Sequence, residues 1–169
     1  MPLALENKTL PEFRQSTYIS AYGEGWALYA ERLGVEMGMY GTPYDRFGML
    51  TYQMWRACRL VVDTGMHARG WTRDQALGFL RDNTALSEHE ITTETDRYIN
   101  TPGQALSYYI GEMTIWKVRH KAEAALGDKF DIRQFHDAVL DLGSVPLPVL
   151  EARIDRFIAE GGNGPYADQ

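Results

Sequence analysis

The chain has 169 residues, a formal net charge of −6, and 44% apolar, 24% charged and 12% aromatic residues. That length supports one domain with a real core, burying about 70% of the surface its unfolded chain exposes. The acidic balance argues against a nucleic-acid partner, no window approaches the ~20 apolar residues of a membrane span, Met1 to Leu10 lacks the pattern of a signal peptide, and the single Cys58 excludes an internal disulfide or a thiolate zinc site.

The pattern is helical almost throughout. Tyr18, Ile19, Tyr22, Trp26, Tyr29, Leu33 and Met37 recur at steps of three and four. Ala21, Ala27, Leu28 and Val35 fill the other faces, so this helix, at residues ~16–38, should be central. After the turn Gly41-Thr42-Pro43, a second helix carries the stripe Phe47, Leu50, Met54, Cys58, Val61 and Val62 and stops near Gly65. Cys58 belongs to that core pattern. Thr72 with Gln75, and Ser87 with Glu90, read as capping boxes that open two further helices. Thr101, Pro102 and Gln104 predict the start of a long helix to Leu126, with Gly127 as its C-terminal cap. Asp131 caps the next helix, with Ile132, Phe135, Ala138, Val139 and Leu142 inward and Gly143 at its end. The last runs from about Pro146 to Glu160 with Leu150, Ile154, Phe157 and Ile158 inward. Strand signals are weak. The expectation is an all-α fold of about seven helices around the helix at ~16–38, forming a single domain over residues 1–169.

Within the first long helix lies the segment Tyr22-Gly23-Glu24-Gly25-Trp26-Ala27-Leu28-Tyr29-Ala30-Glu31. Glu24 and Glu31 are close to two turns apart and project from one face. A carboxylate in apolar surroundings is costly unless it is paired, hydrogen-bonded or bound to a metal. The glycines around Glu24 would let another backbone or a ligand come close. A metal ligand, or a carboxylate paired with an arginine such as Arg56 or Arg59, are the two readings. A helical zinc peptidase commonly carries His-Glu-x-x-His. Here His89-Glu90-Ile91-Thr92-Thr93 lacks the second histidine, and no two of His67, His89, His120 and His136 stand at ligand spacing.

Several blocks together resemble one family. They are Ala21 to Glu31, Arg59 to His67, Gly70-Trp71-Thr72-Arg73, Pro102 to Leu106, Phe130 to Arg133 with Phe135-His136, and Pro146-Leu147. The family is the bacterial domain of unknown function 885, whose full-length members resemble gluzincin-type zinc metallopeptidases. The resemblance runs from about Leu10 to Ile158 and implies a larger helical metallopeptidase-like fold, of which this chain is the C-terminal portion. The family's metal motif, a His-Glu pair followed by Pro-Gly-His-His, lies upstream of the region matching Leu10.

Carried over, the family pattern makes Glu24 the third zinc ligand. Glu31 orients a ligand or pairs with an arginine, and Arg59 neutralises a carboxylate beside the apolar stripe. His67 and Tyr108 match positions that would stabilise a tetrahedral oxyanion. The resemblance thus implies a zinc-dependent hydrolase of peptides, or of another amide or ester, with Zn2+ bound in the intact protein. The chain alone should be inactive and should hold zinc weakly at best. The alternative is a non-catalytic helical interaction module, or a pseudo-enzyme that kept the fold and lost the metal, which self-associates or binds a partner through an exposed apolar face. Export to the periplasm or cell envelope is implied by resemblance only.

Overall fold

A computed structural model describes residues 10–166. Those residues form eight α-helices and two short 3-10 turns, so the all-α expectation holds. In chain order the helices are α1 Glu12–Ser16, α2 Ser20–Glu36, α3 Pro43–Arg69, α4 Arg73–Asn83, α5 Glu88–Asn100, α6 Ser107–Leu126, α7 Ile132–Leu140 and α8 Leu147–Ala159. The turns are Gln104–Leu106 and Gly127–Lys129. No described helix is long and apolar enough to cross a membrane. The chain divides into two compact units, one of residues 1–26 with 111–169 and one of residues 27–110.

The first unit is built on α7 packed against α8. Phe135, Ala138 and Val139 of α7 and Leu150, Ile154 and Phe157 of α8 are buried, as their helical spacing requires. Phe135 meets Phe157 with ring centroids 6.3 Å apart. Ile115, Val118 and Ala122 of α6 are buried as well. Asp131 caps α7 by accepting from the amides of Arg133 and Gln134. Arg14 on α1 donates to the carbonyls of Ser144 and Leu142 at 2.8 and 2.9 Å.

The second unit centres on α3, which packs on α4, α5 and the turn Gln104–Leu106. Its core is Cys58, Val62, Ala76, Leu77, Leu80, Ile91, Tyr98 and Ala105. Burial of each large aliphatic side chain here stabilises the fold by about 1.5–3 kcal/mol. The capping boxes Thr72–Gln75 and Ser87–Glu90 are both present. A third, Thr42–Asp45, opens α3 with Pro43 at the first turn.

Four local expectations differ. The helix expected at ~16–38 is interrupted: the Ile19 amide donates to Ser144 Oγ at 2.7 Å, and α2 begins only at Ser20. Its C-terminus is set by Gly38 at φ 70°, with the Met39 amide reaching back to Gly34 O. Gly65 does not stop α3, because a glycine there leaves room for the Trp71 ring, whose Cδ2 would lie 2.6 Å from an added Cβ. The helix runs on to Arg69 and ends at Gly70 with φ 69°. Thr101 ends α5 rather than opening α6, since its amide bonds the Arg97 and Tyr98 carbonyls. Gln104 is not a box partner either; its side chain accepts from two arginines. Lastly, Phe47, Leu50, Met54 and Val61 are exposed. The buried face of α3 is rotated from them onto Cys58, Arg59, Val62, Asp63 and Gly65.

Candidate functional site

In the first unit the glycines beside Glu24 are filled by protein. A Cβ on Gly23 would stand 2.5 Å from the Tyr18 ring. One on Gly25 would stand 2.4 Å from the Gly111 carbonyl carbon, and one on Gly111 would stand 1.9 Å from Ala21 O. Backbone therefore meets backbone where α2 crosses α6, which only glycine permits. One turn of α2 is held on other sides as well. The Tyr22 hydroxyl donates to the Val139 carbonyl, and burial pushes that phenol well above its usual pKa. Trp26 stands edge-on to His136, with ring centroids 5.4 Å apart.

Glu24 rides on this clamped turn, half-buried. Its carboxylate has no hydrogen bond or ion pair among the described residues, and its oxygens are not sealed from solvent. The ion-paired alternative is therefore not realised there. No group of three or more His, Cys, Asp or Glu side chains among the described residues could hold a metal on its own.

The second unit collects Glu31, Arg59, His67 and Tyr108. Arg59 is buried, 1% exposed. Its guanidinium lies over the Tyr108 ring at 4.3 Å, the Tyr98 ring at 5.2 Å and the Trp55 ring at 5.4 Å. One of its nitrogens, Nη2, donates to Gln104 Oε1 at 3.3 Å. Arg56, one turn earlier, lies over Trp55 at 4.1 Å and over Tyr108 at 5.0 Å. The two guanidiniums thus share two aromatic rings. Burial lowers the Arg56 pKa, and the Arg59 charge lowers it further; Tyr108 and Glu31 act in the opposite sense. Glu31 is thus felt by Arg56 through space, and its backbone carbonyl accepts from the Tyr40 hydroxyl at 3.1 Å.

His67 lies in the last turn of α3, exposed, where a cation is favoured by the helix dipole. Its Nε2 donates to the Tyr98 carbonyl at 3.0 Å. That bond ties it to the backbone of the aromatic group. Tyr108 is half-buried and meets both arginines directly.

Three supporting features were not read from the sequence. Trp55 Nε1 donates to the Tyr98 hydroxyl at 2.9 Å. That hydroxyl in turn bonds the Glu94 carboxylate, which Arg97 grips at 3.1 and 2.8 Å. Burial raises the Tyr98 pKa strongly. Burial also raises the Glu94 pKa, but the hydrogen bonds from Arg97 and Tyr98 outweigh it, and the net shift is downward. Asp63, 2% exposed, accepts from the Gly103 amide at 3.2 and 3.1 Å and ties the Pro102-Gly103 turn to α3. The visible hint of all this was the i, i+3 spacing of Arg56 and Arg59 in a mostly apolar helix.

No curated protein matches this chain. Among solved structures, one described as "the putative lipoprotein from Colwellia psychrerythraea" superimposes with a TM-score of 0.91 at 43% identity. That match covers 94% of this chain and 27% of the other, so the chain spans about a quarter of the length of this relative. The family of bacterial proteins of unknown function designated DUF885 matches residues 1–154. The chain belongs to that family.

Proposed function

We propose that this chain is the C-terminal helical part of a zinc-dependent peptidase-like hydrolase of the cell envelope. Glu24 contributes one carboxylate ligand, and the remaining ligands and the general base come from residues outside the chain. The observation that carries this reading is the unpaired, half-buried carboxylate of Glu24 on a helical turn fixed by the Gly25–Gly111 crossing. A carboxylate oxygen is a suitable zinc donor, and a rigid element is where a ligand belongs. A bound zinc would supply polarisation of the scissile carbonyl and a water of lowered pKa.

In this reading Tyr108 and His67 donate to the oxyanion of a peptide, or of another amide or ester. Such donors contribute roughly 3 kcal/mol each. The Tyr108 hydroxyl sits on a ring backed by two guanidiniums, which favours negative charge beside it. The Nε2 proton of His67 is committed to Tyr98 O, so Nδ1 is the ring nitrogen left for a substrate contact. Arg59 and Glu31 act by orienting these groups. The envelope location rests on the description of the Colwellia relative as a lipoprotein.

The test is Glu24→Gln in the intact protein, with zinc content and peptide hydrolysis both measured. Loss of both is expected; unchanged zinc content and rate would remove Glu24 from the metal centre. In the purified 169-residue chain, peptidase activity that a chelator abolishes and zinc restores would refute the placing of the other ligands outside it.

One observation favours a second reading, that of an interaction module. Phe47, Leu50, Met54 and Val61 form an exposed apolar stripe along α3, with Tyr44 87% exposed at its start. Phe47, Leu50 and Met54 of this stripe line an open groove with Asp82 to Ala85. A contiguous apolar face of this kind marks an interaction surface. Self-association of the chain through it would show as a dimer by light scattering that Phe47→Glu with Met54→Glu dissolves; a monomer at millimolar concentration would exclude it.

A further inference from the structure

The guanidinium N–H groups of Arg56 and Arg59 present a combination that the proposed hydrolase chemistry leaves unused. Arg56 makes no hydrogen bond among the described residues, and its Nε and Nη1 are both buried without a partner. Arg59 Nε is likewise buried and unpartnered. Buried N–H groups almost always have an acceptor. No described carboxylate hydrogen-bonds either arginine. Glu94, the acid nearest in the hydrogen-bond network, is taken by Arg97 and Tyr98. Gln104 Oε1 is shared between Arg59 and Arg97.

Water could satisfy stray N–H groups, but it would not offset two like charges set over the same rings. The nearby carboxylates act on the pair through space only, Glu31 on Arg56 and the already paired Glu94 on Arg59, so the missing group is an anion that accepts their N–H groups directly. Guanidinium forks match a planar carboxylate in bidentate geometry. Trp55 and Tyr108 wall the pair with aromatic surface, which weakens competition from solvent. Of the Arg56 guanidinium nitrogens, Nη2 is the one that is not buried, and it is the point of entry.

We propose that Arg56 and Arg59, on the Trp55–Tyr108 platform, form a binding site for a single carboxylate, either the C-terminus of a peptide or an acidic side chain. The site stands on its own side chains and requires no metal, so it can hold even if the zinc reading fails.

The experiment is NMR of the 169-residue chain, following the Nε–Hε resonances of Arg56 and Arg59. Three probes are titrated: N-acetyl-alanyl-alanine, its C-terminal amide, and N-acetyl-glutamate with its α-carboxyl amidated. Saturable shifts of both resonances are expected with a free-carboxylate probe and not with the alanyl-alanine amide. The stronger of the two carboxylate probes tells a peptide terminus from an acidic side chain. Arg56→Lys keeps the charge but loses the fork, and should weaken binding by about tenfold or more. The exposed helix-end change Arg69→Lys should leave it unchanged. Absence of saturable shifts with both carboxylates, equal binding of the amide, or undiminished affinity in Arg56→Lys would overturn the site. The wild-type titration decides the matter even if a variant folds poorly.

Discussion

Replacing Gly111 with alanine should destabilise the first unit, although alanine is the better helix former. The added Cβ would stand 1.9 Å from the Ala21 carbonyl oxygen and 2.7 Å from Gly25 Cα, where real Cβ atoms keep at least 3.0 Å. Relief needs about 1 Å of separation between two helix backbones, and no side-chain rotation can supply it. Overpacking a close contact costs about 1–3 kcal/mol, and a backbone-on-backbone clash belongs at the upper end. Against this stands a gain of about 1 kcal/mol in helix propensity. The net loss is about 1–2 kcal/mol. Gly78, inside α4, is the internal control, because a Cβ there meets nothing within 4 Å. With no clash to offset the propensity term, Gly78→Ala should stabilise by about 0.5–1 kcal/mol. Urea unfolding of both variants, compared by midpoint at constant slope, gives the two signs directly. If Gly111→Ala is as stable as the wild type, the helices do not cross at van der Waals contact and the clamp on Glu24 is wrong.

Other outcomes follow from the second unit. Asp63→Ala removes the acceptor of the Gly103 amide; a loss of about 1.5 kcal/mol is expected, and hydrogen exchange at Gly103 should quicken by an order of magnitude or so. Glu94→Gln should lower stability at pH 7. The folded-state pKa of Glu94 lies below its ordinary value of 4.5, so its contribution is complete above the unfolded value and is lost as pH falls through the folded one. The gap between variant and wild type should therefore close in unfolding curves taken below about pH 4.5, and a gap that widens there would contradict the Arg97 pairing. Tyr108→Phe keeps the ring under both guanidiniums and should leave the chain's melting temperature nearly unchanged. In the intact protein it should cut kcat by roughly 10²–10³-fold with little change in KM, and an unchanged kcat would remove Tyr108 from the oxyanion.

Much of the fold was legible because its signals are local. Thr72 and Ser87 open helices by bonding amides three residues on, and those partners are fixed by sequence distance alone. The failures came where a distant residue decided. Gly65 reads as a helix stop until Trp71 folds back onto it. Thr101 and Gln104 read as a capping pair until Arg59 and Arg97 claim the glutamine. Periodicity found the apolar stripe of α3, but the core lies on the neighbouring face. That face carries Arg59 and Asp63, which a hydrophobic count assigns to solvent.

The site was legible in the same uneven way. Glu24 stood out because a carboxylate flanked by glycines in an apolar helix breaks the pattern around it. What the glycines do was not visible from that helix, since their partners, Tyr18 and the α6 backbone at Gly111, are set by the crossing. The arginines were read as counter-charges for carboxylates. In the structure no described carboxylate bonds either one, and aromatic faces take the place of anions. Cation–π contact lowers the cost of burying a guanidinium by about 2 kcal/mol or more when desolvated. It leaves Nε and Nη1 of Arg56 and Nε of Arg59 buried without acceptors. That remainder distinguishes Arg56 and Arg59 from Arg97, whose carboxylate partner Glu94 is present, and it points to a group that the described residues do not supply.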